Sequence, residues 1–276
     1  MNADDFGLSK GTNRGIASAF NNGILRSTSL MPNGSAFEDA VKIASETPGL
    51  GVGIHVSLVG ENCLADLDDV RGLASADGSL PKSYGAFSKA YATKRFSLAA
   101  VRAEIVAQVQ RALDAGIKPT HIDSHQHLHV MPGIIDVVID VACSAGIKVI
   151  RVPAERGGVN MSPLSPRGAQ LWVLTSLSRV AARKAQKTGL SFVDHFWGLG
   201  VSGKMNETNL LLTLDRLGSG VNEVMCHPGF GDCETAEKYQ WGYSWDDEAA
   251  ALHSDAIRNL IDERHIRLSS FGDAFL

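Results

Sequence analysis

Residues 120–152 read THIDSHQHLHVMPGIIDVVIDVACSAGIKVIRV, and this stretch decides the fold. Thr120-His121-Ile122-Asp123-Ser124 predicts a strand. Pro132 suits the first turn of a helix over Gly133 to Ala145, because the amide that proline lacks is one a helix start leaves unpaired anyway. Lys148-Val149-Ile150-Arg151-Val152 predicts the next strand. Strand, helix and strand joined by short connections give parallel strands and an α/β fold. The alternation continues outward on both sides. Gly51-Val52-Gly53 leads into a strand over Ile54–Leu58, and Glu223–Cys226 predicts another. Ser9 is placed to cap a helix from Lys10 to about Asn22, with Ile16, Ala17 and Phe20 on one face and Gly23 after its end. Ser97 caps a second, with Val101, Ile105, Val109 and Leu113 at helical spacing and Gly116 as its stop. Further helices fit Leu171–Lys187, Glu207–Leu217 and Asp246–Glu263. Residues 60 to 95 are the least regular and predict an insertion or lid.

The chain has 276 residues, 44% hydrophobic and 20% charged, which is the profile of a folded globular protein. A length near that of an α/β barrel fits a single domain over residues 1–276. Lys and Arg number 26 against 30 Asp and Glu, a net charge of −4, which leaves no basic footprint for nucleic acid and no polybasic membrane patch. No apolar run reaches the roughly 18 residues of a membrane span. The polar, acidic opening Met-Asn-Ala-Asp-Asp does not read as a signal peptide. Cys63, Cys143, Cys226 and Cys233 form neither zinc-finger nor disulfide spacing, so the expected compartment is a reducing cytoplasm.

The acids and histidines carry the chemistry. Asp4-Asp5 stand at the start, His55 lies in a predicted strand, and His227 follows one and precedes Pro228-Gly229. His121, Asp123, His125, His127 and His129 alternate, so a strand running through them would put all on one face. Five polar groups on one buried face would be costly without a metal or a network. Parallel barrels gather the carboxyl ends of their strands on one side, where active sites are built. Asp, His and His suffice to hold a catalytic divalent metal while leaving room for water and substrate. Each feature also has a plainer reading. Asp-Asp can be a solvated turn or cap, His55 a hydrogen-bonded core residue, and His227 a structural residue holding its turn. His195, His253 and His265 lack such company and are read as structural or surface groups.

Three ordered motifs resemble the YdjC-like carbohydrate deacetylases: Asn2-Ala3-Asp4-Asp5-Phe6-Gly7-Leu8-Ser9, Gly53-Ile54-His55, and Thr120 through His129. Arg151-Val152-Pro153-Ala154-Glu155, Asp194-His195-Phe196-Trp197-Gly198 and Met225-Cys226-His227-Pro228-Gly229 look closest to the branch associated with hopanoid biosynthesis. The resemblance implies a distorted (β/α) TIM-like barrel that removes acetyl from an N-acetylated sugar, a chito-oligosaccharide or glycolipid-linked N-acetylglucosamine. It maps the metal ligands onto Asp5, His55 and His125, and the general base onto Asp4. By looser analogy with polysaccharide deacetylases, His227 is the general acid. Magnesium is the family's usual metal, and the ligand set would also suit zinc. The partner expected is the sugar, with a homodimer as the assembly to test. Family members carry a short apolar strand before Asn-Ala-Asp-Asp, whereas only Met1, Asn2 and Ala3 precede Asp4 here. A truncated first strand, with a gap or weak edge in the barrel, is therefore expected. The rival readings are a hydrolase of another bond on the same metal site and a catalytically impaired sugar-binding homologue.

Overall fold

Polar and apolar residues alternate along the strands, and the alternation sorts them to two sides of a curled parallel sheet. The computed structural model describes residues 1–155, 157, 165–231 and 238–276. The strands are β1 (Asn2–Phe6), β2 (Ser27–Leu30), β3 (Gly51–Val56), β4 (Ile122–Ser124), β5 (His195–Trp197) and β6 (Asn222–Cys226), in the order β4-β3-β2-β1-β6-β5. The outer strands approach each other through two bridges. Ile122 pairs with Ile150, and Val149 pairs with Ser191 just ahead of β5. The strand expected over Lys148–Val152 is reduced to these bridged residues, because Pro153 has no amide to continue the ladder. The result is the distorted α/β barrel expected from the sequence.

The described helices are α1 (Lys10–Asn22), α2 (Phe37–Glu46), α3 (Tyr84–Ala92), α4 (Leu98–Asp114), α5 (Ile134–Ser144), α6 (Pro166–Thr188), α7 (Glu207–Leu214), α8 (Trp245–His253), α9 (Asp255–Glu263) and α10 (Phe271–Phe275). Ser9 and Ser97 cap α1 and α4 as expected, accepting from the amides of Thr12 and Ala100. The single helix expected over Asp246–Glu263 is two. Ser254, with ψ 132°, ends α8 and caps α9 through its hydroxyl. The irregular 60–95 segment contains α3 and is fastened by Glu104 of α4, whose carboxylate accepts from the amides of Leu64 and Ala65.

One set of alternate strand residues, including Ala3, Ile54, Ile122 and Val224, joins the apolar core with Ile16 of α1 and Ile105 of α4. The other set meets inside the barrel and is polar. Asn2 donates to Asp4 at 3.0 Å and to Ser29 at 2.9 Å, and Ser29 donates to Asp123 at 2.8 Å. Gly53 makes room for the His121 ring, since a Cβ there would lie 2.3 Å from it. The expectation of a weak first edge is corrected: β1 is a central strand of five buried residues, paired with β2 and β6. Its pairing to β6 begins at Asn2 opposite Met225, while Asn222, Glu223 and Val224 pair with β5. Below this start lies a cavity of about 610 Å³, bordered by Met1, Glu223 and Phe271.

Candidate active site

Neighbouring residues in a strand point to opposite faces, so Asp4 and Asp5 could not both serve one site in a regular β1. The strand breaks its register between Ala3 and Phe6, and Asp5 takes a left-handed φ of 67°. Aspartate tolerates that conformation better than most residues, and such strain collects at functional sites. The bulge brings both carboxylates to the carboxyl end of the barrel.

There Asp5 meets His55 of β3 and His125 just beyond β4. Asp5 Oδ1 lies 2.9 Å from His125 Nδ1 and 3.3 Å from His55 Nε2. One ligand atom from each of the three falls within 4.8 Å of the others. Burial opposes ionisation of Asp5, but His125 and His55 hold its carboxyl well below the usual range. Burial would lower the His55 value, but Asp123, Asp4 and Asp5 raise it to about 10. His55 Nδ1 contacts Asp123 Oδ1 at 2.7 Å, which directs Nε2 toward Asp5. A carboxylate behind a histidine in this way orients it as a metal ligand. Asp5 Oδ2 is buried with no hydrogen-bond partner. An orphaned carboxylate oxygen beside two imidazoles is a donor set that fits a divalent cation.

Asp4 is held differently. Arg151 donates to its Oδ1 at 2.6 Å and its Oδ2 at 2.7 Å, in the bidentate geometry that guanidinium favours. Arg151 is completely buried and also reaches Asp123 at 2.8 Å and Glu223 at 2.7 Å. Burial weighs against the charge of Arg151, while Asp123, Asp4 and Glu223 stabilise it. Burial likewise pushes Glu223 up to about 7 against the pull of Arg151. The sequence alone assigns no role to Arg151, and it marks Asp123 only as one of a cluster. The available signal for Arg151 was a lone cation within an apolar strand, which a buried position tolerates only with acidic partners.

The expectation that five alternating residues share a strand face is corrected. β4 stops at Ser124, and Gln126 and His127 take left-handed φ values of 55° and 56°. Only His121 and Asp123 keep the strand's inward register. His129 is tied to Ser124 at 2.7 Å and to the Arg151 carbonyl at 3.0 Å, and His127 packs against Phe196. Burial lowers both His121 and His129 to about 4, which keeps them neutral at ordinary pH. Of the histidines read as structural or surface groups, His195 meets the Ser219 carbonyl, His253 meets Ser18 and the Ala249 carbonyl, and His265 is exposed.

His227 follows β6 and is buried. Its backbone N–H, not its ring, anchors the turn by donating to Glu248. The ring Nδ1 has no hydrogen-bond partner and stands 3.9 Å from Glu248 Oε2. Its face packs on Tyr243 at 4.7 Å, Tyr243 meets Trp241 at 5.5 Å, and Trp241 covers His125 at 5.0 Å. This aromatic wall was missed by sequence reasoning, although aromatics at every second position from Tyr239 to Trp245 were visible.

Fold and site together define an α/β barrel with a buried acid–histidine cluster at the carboxyl ends of its strands. The chain belongs to the YdjC-like protein family, whose pattern matches residues 1–263. It is 31% identical over 277 residues to a carbohydrate deacetylase of Clostridium beijerinckii, covering 99% of this chain and 98% of that one. It is 32% identical to a carbohydrate deacetylase of Geobacillus stearothermophilus, covering 100% and 97%. A chitooligosaccharide deacetylase of Salmonella paratyphi B is 31% identical, over 99% and 97%. A crystal structure from Enterococcus faecalis V583, described there as a candidate cellobiose-phosphate cleavage protein, superposes with a TM-score of 0.76 at 23% identity, over 98% of this chain and 95% of that one. That likeness bears on the fold alone. Among the described residues, no helix is long and apolar enough to cross a membrane.

Proposed function

We propose that this chain is a metal-dependent deacetylase of N-acetylated sugars. The observation that carries the reading is the convergence of Asp5, His55 and His125, with one Asp5 oxygen buried and unpartnered. The names of its full-length relatives support the same chemistry. Asp5, His55 and His125 would hold the cation, with magnesium as the family's usual choice and zinc also suited to the ligands. When bound, the cation supplies Lewis-acid polarisation of the acetamide carbonyl.

The chain's own residues do the rest. Asp4 accepts one bond from Asn2 and two from Arg151, three of the roughly four lone-pair sites a carboxylate offers. One site remains to take a proton from the attacking water, and Arg151 fixes its direction. The water oxygen bonds to the acetyl carbon, and the carbon–nitrogen bond then breaks. His227, at the end of β6, gives the departing sugar nitrogen a proton. Acetate and a free amino sugar result. The likeness of residues 151–155, 194–198 and 225–229 to the hopanoid-associated branch makes glycolipid-linked N-acetylglucosamine a substrate to try beside the chito-oligosaccharides. A cytoplasmic location fits soluble forms of these sugars. Acetate release from N-acetylglucosamine, N,N′-diacetylchitobiose and the glycolipid, with and without added divalent cation, tests the reading. Release from at least one, dependent on the cation, is expected; no release from any rejects it.

A further inference from the structure

The segment Tyr239-Gln240-Trp241-Gly242-Tyr243-Ser244-Trp245 carries an aromatic residue at every second position. Successive rings stand 4.8, 5.5 and 5.8 Å apart, so they form one continuous strip. The two ends of the strip are embedded. Tyr239 and Trp245 pack with Leu8 and Met31, and the Tyr239 hydroxyl donates to the buried Glu61 at 2.7 Å. The middle is embedded less deeply: Trp241 and Tyr243 pack against the same cluster but are only partly buried. Core packing therefore accounts for the ends of the strip but not for the part of Trp241 left open. A partly buried indole lies against His125, one of the three converging residues, while its neighbour Tyr243 covers His227. The strip thus spans the two sides between which an acetamide would be cleaved.

We infer that Trp241 is the stacking platform for the pyranose ring of the substrate, and so a specificity-determining residue. This rests on the sugar-deacetylase reading and deepens it. A pyranose presents a face of C–H groups edged by hydroxyls. A flat, anchored aromatic surface beside polar reacting groups is what recognises that mixture, since it adds apolar contact area without asking for hydrogen bonds. The embedded Tyr239 on one side and Tyr243, packed on His227, on the other keep Trp241 ordered before substrate arrives, which limits the entropy lost on binding.

The test uses the protein as purified, with Trp241→Ala, Trp241→Leu and Trp241→Phe. Binding of chitobiose, a deacetylated disaccharide that cannot turn over, is measured by calorimetry. KM and kcat are measured by acetate release from N,N′-diacetylchitobiose. The Ala and Leu variants should weaken chitobiose binding and raise KM by roughly ten-fold, with kcat changed less, while Phe stays within about three-fold of wild type. Metal content serves as the control for disturbance of His125. Leu retaining wild-type binding and KM would show that bulk, not the aromatic face, is what matters, and overturns the inference. So does a wild type that binds neither sugar. If wild type releases no acetate yet binds chitobiose in a Trp241-dependent way, the platform stands and the deacetylase reading fails. If acetate is released and all three variants keep wild-type KM, the deacetylase reading stands and the platform fails.

Discussion

The two ends of this barrel contrast sharply. The amino end has the space, a cavity of about 610 Å³ with Leu214, Leu217 and Phe271 among its walls. The carboxyl end gathers the acids and histidines: Asp4, Asp5, His55 and His125, each at most 5% exposed. Parallel strands all finish at the same end, so side chains distant in sequence converge there. At the amino end the lining is mostly loop and turn residues, and Glu223, its buried acid, is turned into the Arg151 network.

The sharpest way to break this contrast is to separate the paired acids. Asp5→Ala should lose metal and activity together. Asp4→Asn should keep metal while kcat falls by roughly 10²–10⁴, the range for general acid–base catalysis. Equal metal loss in both variants would reject their division of labour. His227→Ala should lower kcat on an N-acetyl sugar but spare an activated acetyl ester, whose leaving group needs no proton. An equal loss on both substrates would leave His227 only a positioning part.

Stability provides the next probe. Arg151→Met would leave Asp4, Asp123 and Glu223 buried without their shared cation. Removing one partner of a buried ion pair costs about 3–5 kcal/mol, so the melting temperature should drop by roughly 10 °C. A drop of less than a few degrees would show that the network holds together without its centre.

The pH dependence of the metal-free chain is a finer test. His55 is raised from 6.5 to about 10 in the folded chain, so its contribution is fully present below 6.5 and is lost as pH rises toward 10. The melting temperature of chelator-treated protein should therefore fall by several degrees across that window. A divalent cation should offset the fall, because its binding needs neutral imidazole and is favoured as protons leave. A melting temperature that rises over the same window would contradict the assigned environment of His55.

Much of this was legible in the sequence because the strands write their two faces as alternating polar and apolar residues. Gly53-Ile54-His55 and His121-Ile122-Asp123 state the barrel's interior and exterior directly. The helix from Lys10 to Asn22 was legible through its serine cap and following glycine. What could not be read was backbone departure from regularity. The left-handed Asp5 unites neighbouring acids, and the left-handed Gln126 and His127 split the histidine run. None of these residues signals a bulge as glycine would. Arg151 stayed without a role because its partners lie on three other strands, with nothing local to announce them. β2, Ser27-Thr28-Ser29-Leu30, was missed because its inward face is made of serines.

The smallest expected effect lies at the amino end. Fusing an apolar segment of about five residues ahead of Met1 should extend β1 along Asn222–Val224 and fill part of the cavity there. Added pairing and burial should raise the melting temperature by a few degrees, at roughly 2–4 °C per kcal/mol. Activity should rise modestly through firmer support of Asp4 and Asp5. No change in either quantity would show that the two ends are energetically independent.

The most direct measurement is metal content read together with acetate release from N,N′-diacetylchitobiose, before chelation, after it, and after a divalent cation is returned. For the wild type, a single divalent cation per chain is predicted, with activity lost and regained in step with it. Asp5→Ala should hold none and release no acetate. Undiminished acetate release from fully chelated protein, or a full complement of metal in Asp5→Ala, would contradict the site at the carboxyl end of the barrel.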